Sequence, residues 1–75
     1  MLKTYDYKPT YDEVKEYIGG YIEGIDIGNG DRMYVNEDGL FADVVVLNTE
    51  ATAICGHPIV GNAVIIPKEH CGEDW

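Results

Sequence analysis

The stretch Tyr21-Ile22-Glu23-Gly24-Ile25-Asp26-Ile27-Gly28-Asn29-Gly30-Asp31-Arg32-Met33-Tyr34-Val35-Asn36 decides the fold class, because two β-favouring runs flank a Gly-Asn-Gly-Asp turn signal. Asn-Gly takes the positive φ values of a type I′ turn, whose twist matches that of the strands it joins. The reading is a hairpin: Tyr21 to Ile27 going out, Arg32 to Asn36 coming back. Alternation puts Tyr21, Glu23, Ile25 and Ile27 on one side and Ile22, Gly24 and Asp26 on the other. Glu23 then stands on the apolar side.

Upstream, Thr10-Tyr11-Asp12-Glu13 fits a capping box, in which a Thr hydroxyl and the Glu three residues later each satisfy an orphan amide. A short helix should start here, burying Tyr11, Val14, Tyr17 and Ile18 and ending at Gly19-Gly20. Residues 1–9 read as an edge strand or a loosely docked arm. Downstream, Glu37-Asp38-Gly39 turns the chain, and Leu40 to Leu47 continues apolar with the β-favouring Val44-Val45-Val46. Asn48 is a plausible N-cap for a second short helix near residues 49–54, which Gly56-His57-Pro58 breaks. Ile59 to Ile66 gives a last buried strand pair or a bent strand with a bulge at Gly61, and residues 68–75 form a polar tail. The expectation is a single α+β domain spanning residues 1–75. A short N-terminal helix is followed by a small antiparallel sheet or partly open barrel with a second short helix near residues 49–54.

Composition limits the function classes. A chain of 75 residues has a thin core and gains from a disulfide, a metal or self-association. Fourteen Asp and Glu against five Lys and Arg give a net charge of -9, with Lys3, Lys8, Lys15, Arg32 and Lys68 isolated from one another. Direct nucleic-acid binding is disfavoured, since phosphate backbones are met by clustered cations. No apolar run approaches the ~20 residues of a membrane span, and no secretory signal is seen, so a soluble cytoplasmic protein is expected. A structural disulfide is not expected in a reducing compartment, although a Cys55–Cys71 bridge is left open.

Catalytic and metal readings fare poorly. Cys55, His57, His70 and Cys71 have the right donor types for zinc, but one residue separates the first pair and none the second, so convergence is difficult and no metal is assigned. Cys55 with His57 lacks a third orienting group, and the chain contains no Ser. Gly28-Asn29-Gly30 lacks the Lys and the helix of a phosphate loop. Glu37 and Asp38 read as turn residues. No catalytic residue and no cofactor is assigned, and the chain is read as a non-enzyme.

Recognition chemistry remains. Gly19 and Gly20 permit close backbone approach, Tyr21 and Tyr34 offer ring faces, Arg32 offers a bidentate fork, and Asn48 opens a helix whose amides could hold an anion. With Glu23, Asn36, Thr49 and Asn62 these make the candidate ligand-binding set. The competing reading is that the glycines serve turns, the tyrosines fill a thin core and Asn48 caps.

Four blocks in order, Gly19-Gly20-Tyr21-Ile22-Glu23, Tyr34-Val35-Asn36-Glu37-Asp38-Gly39, Asn48 with Ala51-Thr52, and Pro58-Ile59-Val60-Gly61-Asn62-Ala63-Val64-Ile65, resemble a family of small phage- and plasmid-encoded proteins catalogued only as a domain of unknown function. The likeness runs from about Val14 to Pro67, with Phe41 to Leu47 an unusual version of the link before the Asn. It implies a phage setting in a host bacterial cytoplasm and, by analogy, an anti-defence role. The expected function is a homo-oligomeric sponge holding a nucleotide-derived immune signal, a cyclic nucleotide or ADP-ribose derivative, between subunits. Tyr21 or Tyr34 would stack on its base and Arg32 pair with its phosphate. The alternative is an acidic inhibitor or DNA mimic docked on a basic host protein; a third reading makes Glu23 an acid or base degrading a small signal.

Overall fold

The structure is a computed structural model that describes residues 2–38 and 46–71. The elements run β1 (Leu2–Thr4), α1 (Tyr11–Ile18), β2 (Ile22–Asp26), β3 (Arg32–Asn36), α2 (Thr49–Cys55) and β4 (Ala63–Ile66), with a closing 3-10 turn at Lys68–His70. They form an α+β fold around one four-stranded sheet in the order β1-β4-β3-β2.

α1 forms where the capping box places it. Glu13 N–H donates to the Thr10 hydroxyl at 3.1 Å and the Glu13 carboxylate accepts from Thr10 N–H, while Gly19 at φ +86 closes the helix through its N–H to Lys15 C=O. The hairpin also follows its turn chemistry: Asn29 and Gly30 both take positive φ, and Asp31 N–H donates to Gly28 C=O at 3.1 Å. Asp26 accepts from Gly28 N–H, so the outgoing strand ends one residue before the predicted Ile27.

The antiparallel sheet or partly open barrel expected from the sequence is instead a mixed, open sheet. The N-terminal segment pairs parallel with β4, Leu2 opposite Ala63 and Thr4 opposite Ile65, while β2–β3 and β3–β4 are antiparallel. β1 and β2 are therefore opposite edges. The strand expected over Ile59 to Ile66 is shorter, because Val60 makes only an isolated bridge to Leu47 and Gly61 turns at φ +76 before β4. Most of the predicted strand at Leu40 to Leu47, and the end of the polar tail, lie outside the described residues.

Each sheet face carries one helix. Tyr5, Val14, Ile18, Val64 and Ile66 make one buried cluster, with Tyr17, Ile22 and Tyr34 packed against it. Met33, Val35, Ala51, Ile59 and Ala63 make the other, with Leu2, Ile25, Ile27 and Cys55 around it. β3 and β4 feed both clusters, so the thin core is split into two layers by the sheet. Among the described residues, no helix is long and apolar enough to cross a membrane.

Candidate functional site

Where β2 and the end of β3 meet the loop after α2, the sheet is left partly uncovered. α2 is two turns long and ends at Gly56, whose φ of +84 swings the chain back through His57 and Pro58. The space left is a cleft of about 380 Å³ lined by Glu23, Gly24, Ile25, Val35, Asn36, Glu37, His57, Pro58, Ile59 and Val60. Ile25, Val35, Ile59 and Val60 make apolar walls, and Glu23 and Glu37 are exposed carboxylates within it. No Lys or Arg contributes among the described residues. Glu23 does share its side with Ile25 and Ile27, as the alternation implied, yet it is exposed because the α2 layer stops short of it.

The loop wall is held by Asn48, which is 2% exposed. Its Oδ1 accepts from Ala51 N–H at 3.1 Å, its Nδ2 donates to Gly61 C=O at 2.9 Å, and its own N–H donates to Ile59 C=O at 2.7 Å. The Thr52 hydroxyl accepts from Ile59 N–H at 2.9 Å. These bonds tie the N-cap and the middle of α2 to the chain from Ile59 to Gly61 beside the cleft.

The candidate ligand-binding residues divide among several places. Glu23 and Asn36 line the cleft. Asn36 accepts from Asp38 N–H at 2.8 Å, and a Cβ at Gly20 would lie 3.1 Å from the Asn36 Nδ2. Gly19 is the C-cap of α1, and Asn62 donates from Nδ2 to Tyr17 C=O at 2.9 Å, which fastens that helix end to β4. Tyr21 is exposed just before β2, with the Lys15 Nζ 4.9 Å from its ring centroid. Arg32 and Tyr34 sit together on the α1 face of β3, crowded over Gly24. Arg32 pairs with Asp26 at the far end of the hairpin from Tyr21, so those two do not meet around one ligand. Asn48 spends its side chain on α2 and Gly61, and Thr49 is exposed at the start of that helix. Cys55 packs on the α2 face and Cys71 on the α1 face, so Cys55, His57, His70 and Cys71 do not converge.

The cleft walls His57, Pro58, Ile59, Val60 and Glu37 were absent from the sequence-derived set. Only the helix-breaking Gly56-His57-Pro58 hinted that this loop must turn back over the sheet end.

A second, shallower groove of about 450 Å³ lies on the α1 side, lined by Lys3, Tyr5, Glu13, Glu16 and Tyr17. The Lys3 Nζ stands 4.9 Å from the Tyr5 ring and 5.6 Å from the Tyr17 ring, distances at which a cation is attracted to a ring face. Burial, then the nearby Glu13 and Tyr17, push the Tyr5 phenol above its ordinary range. The Tyr7 hydroxyl donates to the Glu13 carboxylate, and chiefly for that reason its pKa is pushed up to about 12. Both tyrosines favour the folded chain only while neutral. Stability should thus be level up to about pH 10, the unfolded tyrosine value, and fall as pH rises toward 12. Ultraviolet titration of tyrosinate alongside chemical denaturation checks this; stability unchanged across that window would contradict it.

No protein-family model, curated protein or solved structure matches the chain. The four-block resemblance gains no support from them, and the site is read from its own geometry.

Proposed function

We propose that this protein is a non-enzymatic binding module whose partner presents a basic surface, the inhibitor-like alternative among the sequence expectations. The observation that carries it is the cleft, where apolar walls flank Glu23 and Glu37 with no Lys or Arg among the described lining. An anion would be repelled there; a Lys or Arg side chain with its apolar stem would fit both surfaces. The net charge of -9 extends the same preference over the surface and would speed encounter with a basic partner. The setting carried over from the sequence resemblance is a phage protein acting on a host protein in a bacterial cytoplasm.

The test is calorimetry of the full chain against folded basic proteins and lysine-rich peptides at low and high salt. Binding should weaken as salt rises, and the double variant Glu23→Lys with Glu37→Lys should lose about tenfold or more in affinity. Absence of binding to every basic probe at low salt would remove the proposal.

The nucleotide-sponge reading keeps one observation of its own, the adjacency of Arg32 to Tyr34 on one sheet face. A panel of cyclic dinucleotides and cyclic ADP-ribose isomers tests it, and Arg32→Ala must abolish any binding found. Self-association, expected because the core is thin, would draw on the half-exposed Val46, Leu47 and Ile54; a solution mass above one chain is the result it requires.

A further inference from the structure

The backbone chemistry of β2 follows from its register. Glu37 N–H donates to Tyr21 C=O at 2.9 Å and Ile27 N–H donates to Asp31 C=O at 3.4 Å. In an antiparallel ladder, bonded and non-bonded pairs alternate. Glu23 and Ile25, in step with Tyr21 and Ile27, therefore turn their amides and carbonyls toward β3. Ile22, Gly24 and Asp26 turn theirs outward. β2 is an edge of the sheet, and no strand pairs with it on that side among the described residues. Such a row of outward N–H and C=O groups is a template for another extended chain.

The cleft continues this edge, since Glu23, Gly24 and Ile25 of β2 form part of its wall. Successive side chains of an added strand point to opposite faces of the sheet. Those on the α2 side would meet the apolar walls at Ile25, Val35 and Ile59, with Glu23 and Glu37 beside them.

Charge selects the occupant. Glu23, Asp26, Glu37 and Asp38 are all exposed along or near this edge. A second copy would bring the same carboxylates against them on a chain already at -9, and like charges placed across a strand pair are destabilising. A basic segment would neutralise them.

We propose that β2 is a strand-addition site that takes an extended basic segment of a partner protein, hydrogen-bonded to Ile22, Gly24 and Asp26, with alternate side chains entering the cleft. This rests on the basic-partner reading above and adds the mode of binding. The structural device is the outward ladder, which charge alone does not require.

The experiment uses the full chain and a short peptide of alternating Lys and Val. A second form of the same peptide is N-methylated through its central residues, which keeps charge and side chains and removes main-chain donors from both edges. The parent peptide should bind, slow amide exchange at Ile22, Gly24 and Asp26, and lose about tenfold or more in affinity on methylation. Equal binding of both forms, or binding of folded basic proteins with neither peptide bound, would overturn strand addition and leave the basic-partner reading standing. Failure of every basic probe would overturn both. Protection of those amides in the peptide-free protein, with a mass of two chains, would assign the edge to a second copy and overturn the proposal.

Discussion

Asn48→Ala is expected to remove most of the domain's stability at room temperature. The side chain is nearly wholly buried and serves two backbone groups, accepting from Ala51 N–H and donating to Gly61 C=O. Loss of an N-cap of this kind costs about 1 kcal/mol, and leaving the part-buried Gly61 carbonyl unpaired costs up to about 1–3 kcal/mol more. The sum, about 3 kcal/mol, approaches the ~3–5 kcal/mol that a single core supplies in so short a chain. Urea denaturation measures the loss. Asn48→Asp keeps the acceptor for Ala51 but buries a carboxylate whose second oxygen faces the Gly61 carbonyl, so at neutral pH it should be no more stable than the alanine variant. A midpoint for Asn48→Ala indistinguishable from the parent would contradict the account of how α2 is held to the start of β4. The same bonds wall the cleft, so loss of Asn48 should also weaken binding of any basic peptide at temperatures where some folded protein remains.

The parts of this fold that the sequence made legible are those whose causes are local. Thr10 and Glu13 satisfy each other three residues apart, Asn29 and Gly30 are suited to the positive φ their turn needs, and Asn48 sits three residues before the amide it caps. Pairing across the chain was less legible. β1 is three residues long and finds its partner about sixty residues later in parallel register, which no local pattern announces. Alternation in β2 gave the sides but not their burial: Ile22 and Ile25 are on opposite faces, as expected, and both pack, because each face carries its own helix. Period-two reasoning assumes one wet face.

The candidate site was legible only in part for a related reason. Glu23 on an otherwise apolar side was visible as an anomaly, and the structure turns it into a cleft residue. Its partners in the wall come from a loop whose position depends on Gly56, Asn48 and Thr52 acting together. Arg32, Tyr21 and Asn48 were grouped by chemistry, and chemistry carries no distance; the register sets Arg32 and Tyr21 at opposite ends of the hairpin.

The sheet's double role leads to the second large expected effect. Met33, the second residue of β3, is fully buried in the cluster with Val35, Ala51, Ile59 and Ala63 on the α2 side and flanked in the sheet by Ile25 and Ile65. Truncation of a buried Met to Ala typically costs ~2–5 kcal/mol in transfer and cavity terms, whereas Met33→Leu conserves volume and should cost less than about 1.5 kcal/mol. Met33→Ala is therefore expected to unfold most of the population, and Met33→Leu to shift the denaturation midpoint modestly. The more telling measurement is where the loss appears. Tyr5 and Tyr17 report from the α1 face, which Met33 does not touch. If β3 and β4 couple the two layers into one cooperative unit, tyrosine fluorescence and far-ultraviolet circular dichroism should move together in the parent and in Met33→Leu. Tyrosine signals that persist, with the α1 share of the helical signal, after the α2 share has fallen would mean that the α1 layer holds without the α2 layer. The cleft would then belong to a part of the molecule that opens on its own.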